Sequence, residues 1–278
     1  MSNYYVVNLK GEREPFSLVK VLRSARRAGA SKDLAQKVAL EIEKIVYPGI
    51  KTSEIFRKVH QFLKKEDKQS SLRFSLKEAM RKLGPSGFPF EKYIGEIFSA
   101  HKYEVSLNRK IKGKFALHEI DFLARNKEKL YIGECKFRIF PGEKIDLAIV
   151  LAFYAKFLDL KNGNYFNLPR NVVLKPILVT NAKFSSQAIR YANGMEIELL
   201  GWRHPPSRGL EFMIEAEQLY PITILPSFKG YLMEACSQAR LMFARDMLKR
   251  SSGEIAGEIG IDENKLSPLV KEAKTLLE

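Results

Sequence analysis

The 278-residue chain predicts an α/β core built round a central mixed sheet, with a small α-rich module before it and a helical tail after it. Three observations carry that expectation. Two short β-prone segments, Glu119 to Leu123 and Leu130 to Phe137, are joined by the polar run Arg125-Asn126-Lys127-Glu128-Lys129, as the arms of a hairpin are. Helical stretches flank them: one opens at Phe88-Pro89-Phe90-Glu91, and the apolar run Ile145 to Leu160 forms another. Between the first module and this core, Leu83-Gly84-Pro85-Ser86-Gly87-Phe88-Pro89 is rich in Gly and Pro and marks a join. The expected division is 1–84, 85–225 and 226–278.

In the first module, Tyr4 to Phe16 reads as two short strands about a turn at Gly11. Helices follow. Ser17 caps one through Val19, Leu22 and Ala25 or Arg26. Ser31 caps a second through Leu34, Val38, Ile42 and Ile45, ending near Gly49. Thr52 or Ser53 caps a third through Ile55 or Phe56, Val59 and Phe62 or Leu63, and a fourth runs through Leu72, Leu76, Met80 and Leu83. Lys64 to Ser71 reads as a solvated loop or helix end.

The chemistry concentrates in the core. Side chains alternate across a strand, so Glu134 and Lys136 project to one face while Cys135 and Phe137 project to the other. An antiparallel neighbour sets Asp121 beside them. Two carboxylates, a main-chain carbonyl at Cys135 and one ammonium group suit a hard divalent cation held against a phosphodiester. The plainer alternative is a charged pair on an exposed strand, but Glu134 and Lys136 punctuate an otherwise apolar segment. Before the strands, Phe90, Tyr93 or Ile94, Ile97 and Phe98 make an apolar helical stripe. Glu91 beside it is either an outer metal ligand or a first-turn acid favoured by the helix dipole. His118 either contacts phosphate or the attacking water, or is structural. Glu119 shares the phase of Asp121 and is a supporting acid.

Asp121, Glu134 and Lys136 together resemble the D…E-x-K signature of the restriction-endonuclease-like superfamily, especially its Mrr-like branch. Pro176 to Asn181 resembles that branch's later core strand, Phe184-Ser185 with Ala188, Tyr191 and Ala192 its next helix, and Ile197 to Trp202 the strand after it. The resemblance covers roughly residues 88–220. It implies a restriction-endonuclease-like core in the order helix, three strands, helix, strand, helix, strand. It also implies Mg²⁺- or Mn²⁺-dependent endonuclease activity on DNA, with Asp121, Glu134 and Cys135 as metal ligands and Lys136, Glu91 and His118 as further catalytic candidates. Cutting both strands calls for two sites, so a homodimer is expected.

Gly11, Glu14-Pro15-Phe16-Ser17, Lys20-Val21 and Gly49 to Ile55 resemble the ATP-cone, a nucleotide-sensing module. That resemblance implies ATP or dATP as a regulatory ligand, with Glu14, Lys20 and Thr52 at nucleotide-contacting positions. The family usually carries a Lys-Arg pair three and two residues before the glycine, where this chain has Asn8 and Leu9. Phe56 stands where some members have a histidine. A non-catalytic, nucleotide-responsive nucleic-acid-binding regulator is the rival expectation.

The tail reads as an amphipathic helix over Gly230 to Lys249, then a helix-turn-helix-like segment with Gly260 as its turn residue. Its second helix, Leu266 to Leu277, has lysines but no arginine, which favours packing over base reading. Net charge is +15, and residues 1–84 carry 19 Lys/Arg against 9 Asp/Glu, so a polyanionic partner is favoured. Cys135 and Cys236 form no spacing motif, which fits a reducing cytoplasm. Asp146, Lys156 and Asp159 interrupt the longest apolar stretch, marking a core helix and no membrane span.

Overall fold

The computed structural model describes residues 4–84 and 88–278. Pro85, Ser86 and Gly87 of the expected join lie outside the described residues. Two compact units form. One joins the residues up to Met80 with Tyr220–Leu232 and Phe243–Glu278; the other joins Arg81–Leu219 with Met233–Met242.

The first unit begins with β1 (Tyr5–Val7) and β2 (Arg13–Pro15), antiparallel about Gly11, whose φ of +81° is one that glycine adopts without strain. Helices α1 (Leu18–Arg27) and α2 (Lys32–Ile45) start where Ser17 and Ser31 accept from the amides of Lys20 and Leu34. A third strand, β3 (Ile50–Lys51), was not foreseen and pairs parallel with β1. It displaces the expected Thr52 or Ser53 cap. Lys51 is held extended by the sheet, so α3 (Thr52–Glu66) starts at Thr52 with no side-chain cap.

Of the run 64–71, read as a solvated loop or helix end, Lys64, Lys65 and Glu66 are the exposed end of α3, and the rest is corrected. Asp67 caps α4 (Lys68–Phe74), and Ser70 and Ser71 are buried. The anticipated fourth helix is two, because Ser75 closes α4 with a tight bond to Leu72 before α5 (Leu76–Arg81) begins. Val21, Ala25, Val38, Ile42, Ile50, Val59 and Leu63 form the shared core.

The second unit is a three-layer α/β arrangement. Helix α6 (Phe88–Ala100) precedes β4 (Glu104–Lys112), β5 (Leu117–Arg125) and β6 (Lys129–Cys135). A short β7 (Lys144–Ile145) leads into α7 (Leu147–Lys161), which Asp146 caps. Then come β8 (Val173–Val179), β9 (Lys183–Phe184), α8 (Ser186–Gly194), β10 (Glu198–Leu200), α9 (Leu210–Ala216) and α10 (Met233–Gln238). The five-stranded sheet runs β10-β8-β6-β5-β4, while β7 and β9 pair separately. Strands β4, β5 and β6 are antiparallel in sequence; β6, β8 and β10 are parallel. The sheet is therefore mixed, as expected.

Strand β6 is the keel. Every residue from Leu130 to Cys135 is buried, because it has strands on both sides and helices on both faces. Phe98 of α6 lies 5.0 Å from the Phe122 ring and 6.1 Å from Tyr131. On the opposite face, Phe157 and Leu160 of α7 pack with Ile120 and Ile132. The α6 stripe of Phe90, Tyr93, Ile94, Ile97 and Phe98 is wholly buried, as its spacing demands.

The remaining helices, α11 (Ser252–Ile259) and α12 (Ser267–Leu277), meet about Gly260 in a left-handed conformation. Leu269, Ala273 and Leu276 of α12 are buried, and the carbonyl of Leu276 accepts from Gln69 and Arg73 on α4. The expected single helix over Gly230 to Lys249 is not continuous. A 3-10 turn (Gly230–Leu232), α10, Arg240 at φ +56° and a second 3-10 turn (Ala244–Leu248) replace it. A non-glycine residue at positive φ stops a helix. Among the described residues, no helix is long and apolar enough to cross a membrane.

Gly133 faces the Phe122 ring so closely that a Cβ there would lie 2.2 Å from ring carbons. Gly133→Ala is expected to destabilise the protein by roughly 1–3 kcal/mol through overpacking. An unfolding midpoint equal to the unmodified protein's in denaturant titration would mean that the ring yields freely.

Candidate functional site

The site is built where the β5–β6 ladder opens. The last paired residues are Phe122 and Gly133, and the next step of that register is Asp121 against Glu134. There the main chains part and the Asp121 carboxylate takes over, with Oδ2 accepting from the Cys135 amide at 2.7 Å. The Lys136 amide donates to the Val179 carbonyl (2.8 Å), and the Thr180 hydroxyl donates to the Lys136 carbonyl (2.6 Å). The backbone beneath Lys136 is thus pinned to β8.

Glu134 is 7% exposed. Both of its oxygens are engaged: Oε1 accepts from Lys136 Nζ at 2.5 Å and Oε2 from Lys156 Nζ at 2.7 Å. Lys156 also donates to the Glu119 carbonyl at 2.9 Å, tying α7 to β5. Sequence reasoning missed Lys156 as a site residue. Its signal was a lysine in the middle of an apolar helix, which has to find an anion once the helix is packed.

The electrostatics are those of an acid cluster. Burial pushes Asp121 up to about 6, helped by the Glu134 charge and opposed by the Cys135 amide and the two lysines. Burial likewise pushes Glu91, in the first turn of α6, up to about 7, helped by Asp121, Glu134 and Glu119 and opposed by Lys136. The Cys135 thiol is raised by burial and by Asp121, Glu91 and Glu134. Burial pulls the Lys136 ammonium down, but its hydrogen bond to Glu134 and the surrounding carboxylates raise it overall. Asp121, Glu134, Lys136 and Glu91 are therefore brought into one electrostatic group.

His118 is turned elsewhere. Its Nε2 lies 2.7 Å from Asp159 Oδ2 on α7. Cys135 and Cys236 are both buried and unbridged.

Among the described residues, no three His, Cys, Asp or Glu side chains stand ready as a metal cage. The donors at the site are nevertheless the hard oxygens that magnesium and manganese accept. Carboxyls raised by burial and by neighbouring negative charge are also groups that a cation would relieve.

In the first unit, Glu14, Lys20 and Thr52 all line one cavity of about 220 Å³, with Val6, Phe16, Val21, Ile55, Phe56 and Val59 among its walls. Lys20 Nζ lies 3.4 Å from Glu14 Oε2. Asn8 lies on the turn. Its amide donates to Glu12 and Glu14, and its Oδ1 accepts from the amides of Lys10 and Glu12. Leu9 is exposed.

A family model described as AF1548-like, C-terminal, matches residues 220–277. A protein of Archaeoglobus fulgidus, described as uncharacterized, is 32% identical over 184 residues, which span 66% of this chain and 99% of that protein. The chain belongs to the AF1548-like family. The crystal structure of AF1548, described as a protein of unknown function, matches with a TM-score of 0.60 at 30% identity, over 68% of this chain and 97% of that one. This AF1548-like chain is also weakly similar to MspJI restriction endonuclease in complex with a 27-mer oligonucleotide. There the TM-score is 0.36 and the identity 12%, over 82% of this chain and 48% of that one. A likeness that slight carries no argument about the AF1548-like protein's activity.

The two raised carboxyls give a signed prediction. Their protonated forms are favoured by folding, so their contribution to stability is full below their ordinary values of 3.8 and 4.5. It is lost as pH rises through about 6 and about 7. Thermal unfolding at pH 5 and pH 8 is expected to show a smaller difference in Glu91→Gln than in the unmodified protein. An identical difference in both would remove Glu91 from the cluster.

Proposed function

We propose that this protein is a metal-dependent endonuclease of the D…E-x-K type that hydrolyses DNA phosphodiester bonds. The observation that carries the reading is the convergence of Asp121, Glu134 and Lys136 where β5 and β6 part. Asp121 and Glu134, with the Cys135 carbonyl, would hold Mg²⁺ or Mn²⁺, which polarises a phosphate and acidifies a bound water. Glu134 would then give an oxygen to the cation, and Lys136, at the strand end, would be the ammonium group free to meet phosphate charge. Lys156 remains tied to the Glu119 carbonyl and keeps Glu134 oriented. Glu91, in the first turn of α6 beside these carboxylates, would accept a proton from the attacking water. His118, held by Asp159, serves the scaffold in this reading. A homodimer supplies the second site needed to cut both strands.

Supercoiled plasmid with Mg²⁺ or Mn²⁺ tests the reading. Cutting is expected from the unmodified protein and a loss of at least about a hundredfold from Glu134→Ala and from Lys136→Ala. No metal-dependent cutting by the unmodified protein, alongside DNA binding, would leave the regulator reading in its place.

We further propose that the cavity lined by Glu14, Lys20 and Thr52 takes ATP or dATP as a regulatory ligand. The convergence of those three side chains on one apolar-walled cavity supports this. Asn8 spends its side chain on the turn and brings no charge, so phosphate attraction rests chiefly on Lys20. Calorimetric titration is expected to show binding that Lys20→Ala weakens about tenfold, or ~1.4 kcal/mol. Absence of heat with both nucleotides would sink the sensor.

A further inference from the structure

The β4–β5 hairpin has features that the sheet does not require. Strand β4 is the outer strand, and Arg109, Lys110, Lys112 and Lys114 are exposed along it and its turn. Residues 105–118 contain no acidic side chain, and among the described residues none of these four cations forms an ion pair. Lysines on an edge strand discourage pairing with another chain. That does not account for the tip, where Phe115 is 83% exposed and Leu117 66% exposed.

The tip is built to stay in place. The turn closes with Gly113 N donating to the Ala116 carbonyl at 2.7 Å. Asp159 of α7 then grips it, accepting from the amides of Phe115 (3.0 Å) and Ala116 (3.1 Å), with its Oδ2 2.7 Å from His118 Nε2. The main-chain carbonyl of Asp159 also accepts from Lys114 N at 3.0 Å. A Cβ on Gly113 would lie 2.2 Å from Asp159 Oδ2, so only glycine permits this seat. An aromatic ring is thus presented to solvent on an anchored turn, with Lys114 Nζ 5.0 Å from its centroid.

We propose that this hairpin grips DNA: Lys110, Lys112 and Lys114 lie along backbone phosphates while Phe115 stacks on or wedges against nucleobases. Cations in a row match the phosphate charge, and a fixed aromatic ring matches the face of a base. Strand pairing brings the row to the site, since Lys110 pairs with Glu119 and Arg109 with Ile120, next to Asp121. The proposal rests on the nuclease reading for its partner and is tested by binding without cutting.

Fluorescence anisotropy of the full chain on a labelled duplex, in chelator and at roughly 50 to 200 mM salt, separates the two contributions. Phe115→Ala is expected to bind about tenfold more weakly with an unchanged salt slope, and Phe115→Trp to bind as the unmodified protein does. The Lys112→Ala, Lys114→Ala double variant is expected to flatten the slope by about two. Equal losses in Phe115→Ala and Phe115→Trp would overturn stacking. Binding and slope unchanged in all variants would overturn the hairpin as the DNA contact, including where the plasmid assay still shows cutting. Conversely, altered binding together with no cutting by the unmodified protein sustains the hairpin and removes the endonuclease reading.

Discussion

Glu134 stands at the end of a strand that is covered on both faces, and its carboxylate is almost sealed from solvent. Burial there penalises the charged form, so the carboxylate needs partners. Lys136 supplies one from two residues along the same strand, and Lys156 the other from the helix packed on that face. With an ammonium group on each oxygen, neither side of this buried carboxylate is left unpaired. The rest of this end of the sheet follows from that arrangement. Burial drives Asp121 and Glu91 upward as well, helped by the Glu134 charge and opposed by Lys136. Charges are close enough to matter and incompletely satisfied, which is the condition under which groups near pH 7 become useful.

Much of this was legible in the chain. Alternation put Glu134 and Lys136 on one face, and a polar run between β-prone segments put Asp121 opposite. The stripe on α6 could be read because five large apolar residues recur at helical spacing. Less legible were contacts that depend on packing between distant segments. Lys156 read only as an interruption of an apolar helix, and it holds the Glu134 carboxylate. His118 read more readily as structural than as catalytic, and the position of Asp159, forty-one residues away, shows where it turns. Strand β3 has two residues and no periodicity to detect. The tail's helix broke because Arg240 takes a left-handed conformation that an amphipathic pattern does not register.

In the first unit, the Asn8 side chain makes four hydrogen bonds that hold the Gly11 turn and Glu14. The same unit absorbs α12, whose apolar face is spent on α4. A helix committed in that way keeps Lys271 and Lys274 exposed.

One short piece of α7 carries two loads. Lys156 and Asp159 are three residues apart, so they rise from neighbouring positions on the same side of the helix. The first is fastened to the carboxylate at the end of β6, and the second is fastened to the loop joining β4 and β5. The outermost loop of the sheet and its innermost anion therefore hang from a single helical turn, and neither can shift while that turn stays intact without tugging on the other.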